Sequence, residues 1–260
     1  MFRSLHIAAT GMTAQETKLD AVANNVANAS TTGYKKQDAE FEDLLYQTQK
    51  APGPVAGGGI APAGVQIGTG TRIVATSRSF AQGPIQQTGN QLDLAIEGPG
   101  FFQVTRPNGE VAFSRAGSLK LDAQGKLVTS EGLPIEPPIT IPTDATSITV
   151  GADGTVSVIQ PGSTAPNQVG PIQLATFANP GGLSALGHNL FGQTAAAGDP
   201  QVGPPGAAGR GSIMQGALEG SNVEVVEEMI ALIRTQRAYE INSKVIAAAD
   251  EMLRNATTMR

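Results

Sequence analysis

The sequence predicts an α+β chain: long N- and C-terminal helices forming a coiled-coil-like core, an extended arm, and a mainly antiparallel all-β middle domain. Three observations carry that expectation. Apolar residues recur at helical spacing near both ends, short alternating strands with Gly-containing turns fill the middle, and an uncharged Gly/Pro-rich stretch lies between the first helix and the strands.

At the N-terminus Leu5, Met12, Leu19 and Val26 form one row of a heptad seam, and Ala8, Gln15, Val22 and Ala29 form the companion row. About 26 residues at ~1.5 Å each give a helix roughly 40 Å long. Ser30, Thr31, Thr32 and Gly33 then stop it. At the other end, Ser221, Asn222, Val223 and Glu224 read as a capping box, followed by Glu227 and Glu228 near the positive end of the helix dipole. Val223, Val225, Val226, Met229, Ile230, Leu232 and Ile233 cover about half of the helical circumference, which calls for neighbours on several sides. Further along, Ile230, Ile241 and Met252 recur with Ile233, Val245 and Ala248 between them, so the stripe drifts little.

From Ala51 to Thr71 the chain is uncharged and dominated by Gly, Pro and Ala; Val55, Ile60, Val65 and Ile67 predict an arm that docks on something. From Arg72 to Met214, alternating strands are separated by Asn108-Gly109, Gln124-Gly125 and Asp153-Gly154, the last between ITV and TVSVI as a hairpin signal. The expected segments are 1–46, an N-terminal helical core piece; 47–71, the arm; 72–216, the β-rich outer domain; and 217–260, the closing helix. Terminal helices separated by a whole domain bury their apolar faces only against each other and against other copies.

Composition excludes several classes of function. With 260 residues, a net charge of −5 and no basic cluster, nucleic acid is not an expected partner. The absence of Cys removes disulfides, thiolate metal sites and thiol nucleophiles. The window LHIAATGM is too short and too polar for a signal-peptide core or a membrane span, so no Sec route is expected. His6 and His188 stand alone with no metal-ligand spacing. Asp38, Glu40, Glu42 and Asp43 read as the solvated face of a segment whose apolar side is Phe41, Leu44, Leu45 and Tyr46. GPGFF, residues 98–102, lacks the lysine and setting of a phosphate loop and reads as a tight turn into a buried aromatic strand. No GxSxG elbow is present. No catalytic, cofactor-binding or metal site is predicted, and the chain is not expected to be an enzyme.

Asn24, Asn25 and Asn28 are the anomaly, because amides are poor helix formers placed here beside the Val22/Val26 stripe. At a packed seam a buried amide penalises slipped registers, so these residues, with Gln15, are expected to specify the geometry of a self-assembling helical layer. The predicted assembly surface comprises Leu5, Met12, Gln15, Leu19, Val22, Asn24, Asn25, Val26 and Asn28, with Val226, Ile230, Ile233, Ile241, Val245 and Met252.

ANNVANASTTGYKK resembles the N-terminal signature of the bacterial flagellar rod and hook family. FEDLLYQTQKAPG, QIGTGTR, LDLAIEGPGFFQV and SNVEVVEEMIALIRTQRAYEINSKVI extend the resemblance along the chain, and YEINSK is more similar to its distal-rod branch than to the proximal-rod and hook branches. The resemblance implies a basal-body part: a homo-oligomeric helical tube that transmits torque and passes exported subunits. Implied partners are the proximal rod and hook proteins, the surrounding peptidoglycan and outer-membrane ring proteins, and the flagellar type III export apparatus. The implied place spans the periplasm, reached without a cleaved signal peptide. The competing readings are a proximal rod or hook subunit and, from another class, a secreted β-domain glycan-binding or hydrolytic module.

Overall fold

The structure, a computed structural model, describes residues 2–54, 60–61, 63–162 and 165–258. The chain forms two compact units. Unit 1 gathers Met1–Ala27, Gln37–Ser77 and Glu224–Arg260; unit 2 gathers Asn28–Lys36 and Arg78–Val223.

Unit 1 is built on helices α1 (Phe2–Ala27) and α2 (Val225–Thr258). Neither contains proline, and Ala, Leu, Met, Gln and Glu supply most of their helix propensity. α1 stops two residues short of Ala29, so that member of the expected companion row is outside the helix. The expected capping box does not form. Ser221 Oγ accepts from the Val223 N–H at 3.3 Å, and the helix begins after Glu224, whose carbonyl accepts from the Glu228 N–H at 3.0 Å. Local side chain-to-backbone bonding by Ser221 has displaced the cap upstream of the helix proper.

The remainder of unit 1 corrects the reading of the arm. Strands β1 (Gln37–Asp43) and β6 (Thr71–Arg78) pair with each other, as do β2 (Gln47–Lys50) with β5 (Val65–Ile67) and β3 (Gly53–Pro54) with β4 (Ile60–Ala61). Gln47 faces Ile67, Thr48 faces Gln66, Gly53 faces Ala61 and Pro54 faces Ile60, in one antiparallel register with a single irregularity between Thr48 and Lys50. The Gly/Pro-rich stretch is thus part of a β-ribbon whose limbs begin before residue 47 and end after residue 71, and the expected boundaries at 46 and 71 do not coincide with those of the units. Leu45 and Tyr46 are exposed, not an apolar underside.

Unit 2 is the antiparallel β domain. Its largest sheet centres on β9 (Phe101–Thr105), flanked by β10 (Val111–Ser114) on one side and Leu174–Thr176 on the other. Val111 faces Thr105 across the Asn108-Gly109 turn, Leu121 faces Leu127 across Gln124-Gly125, and Val150 faces Val156 across Asp153-Gly154. In all three turns the glycine has positive φ, between 77° and 83°, where a side chain is strained. One core cluster packs Leu94, Ile96, Phe102, Leu174 and Ile213 with neighbouring aliphatics. A second stacks Phe101, Phe113, Phe177 and Phe191 edge to face with ring centroids 4.8–6.1 Å apart, Phe80 closing its side.

Three distant segments of unit 2 are tied by buried polar groups. The Gly33 N–H donates to the Glu219 carbonyl at 2.8 Å, and the Lys36 N–H donates to Asn222 Oδ1 at 2.7 Å. Asn222 Nδ2 donates to the Ser79 and Ala81 carbonyls at 2.8 and 3.1 Å. Gly33, at φ +69°, leaves no room for a Cβ, which would sit 2.7 Å from the Ala116 nitrogen. The TTGYKK stretch therefore serves as a joint between chain segments, not simply as a helix stop.

Candidate assembly interface

Within unit 1, α1 and α2 lie antiparallel. Asn25 Nδ2 donates to Glu228 Oε2 at 3.1 Å, and a Cβ on Gly11 would come within 2.9 Å of Asn242 Nδ2. Going back from 25 to 11 on α1 matches going forward from 228 to 242 on α2, a displacement of two heptads along each helix. The buried row of α1 is Ala8, Ala14, Ala21, Val22 and Asn25, and that of α2 is Glu228, Thr235 and Ala249. Small and polar side chains, not the large apolar ones, hold this pair together. Leu5, Met12, Gln15, Leu19 and Val26 are half-buried beside the contact, so the expected apolar row flanks the seam instead of forming it.

Consequently the apolar stripe of α2 has no cover within the chain. Val226 is 70 % exposed and Ile241 60 %, and Ile230, Ile233, Val245 and Met252 are exposed with them. Projected at about 100° per residue, Ile230 and Ile241 lie roughly 120–140° from the middle of the α1-facing row of Glu228, Thr235, Asn242 and Ala249. An apolar row running nearly the length of a 34-residue helix is a surface to be buried against another surface.

The three amides divide. Asn25 is buried: Nδ2 donates to the Gln37 carbonyl at 2.8 Å as well as to Glu228, and Oδ1 accepts from the Gln37 N–H at 2.9 Å. Its amide completes the start of β1 as a neighbouring strand would, and fastens both to α2. Asn24 is exposed, and Asn28, outside the helix, accepts from Thr31 Oγ1 at 3.1 Å. Asn25→Ala strands the polar groups of Gln37 and Glu228, at about 1–3 kcal/mol for each buried group left unsatisfied. Unfolding of the dilute chain by urea is expected to show a loss of about 2–4 kcal/mol for Asn25→Ala, whereas Asn24→Ala changes stability by about 0.5 kcal/mol or less.

On the ribbon, Leu45 is 91 % exposed, Tyr46 and Val65 are exposed, and Ile67 is half-buried. Val55 and the side chain of Ile60, both expected to dock, lie outside the described residues. His6 and His188 are exposed, the latter paired with Glu131. Among the described residues no group of three or more His, Cys, Asp or Glu is placed to hold a metal ion, and no helix is long and apolar enough to cross a membrane.

The buried charges of unit 2 were not singled out in the sequence. Lys35 Nζ donates to Glu219 Oε1 at 2.6 Å and to the Ala81 carbonyl at 2.8 Å; the Gly83 N–H donates to the same carboxylate oxygen at 2.9 Å, and Arg115 Nη1 donates to Oε2 at 3.3 Å. Burial pushes both the Lys35 ammonium and the Arg115 guanidinium below their ordinary pKa values, and Glu219 pulls the other way. The only sequence signal was that charges are scarce in this chain; 184 residues separate Lys35 from Glu219.

Helices with an uncovered apolar row, joined to a β domain without a catalytic constellation among the described residues, define a structural chain. Family models agree in three parts: residues 5–35 match "Flagella basal body rod protein", 95–158 match "Flagellar hook protein FlgE/F/G D1 domain", and 214–259 match "Flagellar basal body rod FlgEFG protein C-terminal". The flagellar basal-body rod protein FlgG of Borreliella burgdorferi is 47 % identical over 100 % of this chain and 99 % of its own length. FlgG of Caulobacter vibrioides is 46 % identical over 99 % of both chains, and FlgF of the same organism is 35 % identical over 98 % of this chain and 97 % of its own. The chain belongs to the flagellar basal-body rod protein family. Its end-to-end likeness to the FlgG proteins makes it a structural subunit of the distal rod and not an enzyme.

Proposed function

We propose that copies of this chain pack their terminal helices side by side around a common axis, in coiled-coil fashion, to form a rigid hollow tube. The observation that carries this reading is the uncovered apolar row of α2, which the antiparallel α1 leaves free along the helix. A single chain uses α1 to cover the small, polar row Glu228–Thr235–Asn242–Ala249, so another copy covers Val226, Ile230, Ile233, Ile241, Val245 and Met252. The half-buried row Leu5, Met12, Leu19 and Val26, with Gln15, Val22 and the amides Asn24, Asn25 and Asn28 beside it, supplies the complementary edge. Repeating one heterologous contact without closure generates a helical assembly. Val65 and Ile67 on the ribbon, with Val55 and Ile60, dock on neighbouring copies and stiffen the tube, while the β domain faces outward.

The assembled part transmits motor torque to the hook and lets later subunits pass through its bore. Its partners are the proximal rod and hook proteins at its ends, the peptidoglycan and outer-membrane ring proteins around it, and the flagellar type III export apparatus, which delivers the chain across the inner membrane without a cleaved signal. Its place is the part of the basal body that spans the periplasm. Labelling isolated basal bodies with an antibody raised against unit 2, and imaging them by electron microscopy after ring removal, tests this. Label on the rod between the inner rings and the hook base is expected. Label along the hook overturns the rod position, and absence of label from intact basal bodies overturns the axial assignment.

A further inference from the structure

Unit 2 contains a cavity of about 310 Å³ that the rod function does not use. Phe80, Phe101, Phe177, Pro99 and Pro180 form its walls, and Arg115 lies in its lining. The GPG turn of residues 98–100 borders it, with Gly98 and Gly100 at φ +102° and +149°. That size is near the lower end for sites that hold small organic ligands, about 300–1,000 Å³.

Arg115 is an unusual wall residue. Its side chain is 4 % exposed, its guanidinium carbon lies 5.3 Å from the Phe101 ring centroid, and Nη1 is engaged by Glu219. Nε, however, is buried with no hydrogen-bond partner among the described residues. A buried N–H left unmade costs about 1–3 kcal/mol and more on a charged group. The surrounding charges are also unbalanced, since Lys35 and Arg115 share the single carboxylate of Glu219 with all three buried. One further anion would satisfy both deficits, and the Nε edge of a guanidinium matches a carboxylate.

We propose that this cavity is a site for a carboxylate carried on an apolar or aromatic stem, with Arg115 as its recognition group. The aromatic and prolyl walls take the stem, and the carboxylate accepts from Nε. The carboxylate belongs either to a small molecule or to an acidic side chain of another copy of this chain; the shared chemistry is the same.

The test uses the full-length chain at low concentration, with the ring-proton NMR signals of Phe101 and Phe177 as readout during titration with 3-phenylpropionate, acetate or chloride. Saturable shifts with 3-phenylpropionate are expected, weaker ones with acetate, and none with chloride. Arg115→Met leaves a one-to-one Lys35–Glu219 pair and so keeps the fold; it is expected to weaken binding at least about tenfold. Thr176→Phe, which crowds the cavity without touching the charges, is expected to do the same. Shifts that instead appear on concentrating the chain alone, and vanish in Thr176→Phe, identify a second copy as the source and support the site. Equal responses to all three anions, no saturable shift in either experiment, or undiminished binding by Arg115→Met overturns it.

Discussion

Replacing Ile230 and Ile233 together by Asp is expected to abolish assembly while leaving the individual chain folded. Both side chains are exposed on α2, so neither contributes core packing to the single subunit. In the proposed tube each is buried against a neighbour, where a large aliphatic side chain contributes about 1.5–3 kcal/mol and an unpaired carboxylate is strongly unfavourable. The critical concentration for assembly in vitro is therefore expected to rise about 100-fold or more for the pair. Sedimentation measures that change, and far-UV circular dichroism of the dilute chain, expected to match the unsubstituted protein, separates it from misfolding. Unchanged assembly by the folded variant would remove the α2 stripe from the interface.

Removing Glu219 is expected to be the most damaging single change to the stability of unit 2. Glu219→Ala leaves Lys35 and Arg115 buried with no carboxylate between them, and breaking a buried pair in this way costs about 3–5 kcal/mol. Lys35→Met is expected to cost much less, because the Arg115–Glu219 pair that remains is balanced. Hydrogen exchange of amides in β8 (Leu94–Glu97), β9 and β10 reports the difference. The pH dependence has a definite sign. Burial holds the Lys35 ammonium below its ordinary 10.5, so in the alkaline interval beneath 10.5 the unfolded chain binds more protons than the folded one. The contribution of Lys35 to stability is therefore present above that interval and lost as pH falls through it. The stability difference between the unsubstituted chain and Lys35→Met is expected to rise with pH there; a flat difference would mean that Lys35 is not held below its ordinary value.

The terminal helices and the β domain were legible because their signals are local. Heptad spacing marks α1, and Asn108-Gly109, Gln124-Gly125 and Asp153-Gly154 each connect strands that pair as their turn chemistry requires. The identity of the seam was less legible. A helical projection shows which residues share a face but not which face meets which partner, and here Gly11, Ala14 and Ala21 allow a close approach that the large apolar row would prevent. The ribbon was hidden for a different reason: Gly and Pro lower β propensity, and pairing Gln47 with Ile67 is a contact no short window contains. The charges around Glu219 and the cavity beside Arg115 depend on segments brought together from across the chain.

Asn25 also has a mechanical meaning. The contact between α1 and α2 is lined with small side chains, which offer little corrugation against one helix sliding along the other, and its heptad spacing offers a similar fit one step away. The amide that grips Gln37 and Glu228 acts as a shear pin near one end of that sliding surface: axial displacement must first break its hydrogen bonds. In a shaft under load, the yield point of each subunit would then be set near residue 25, not distributed along the helices.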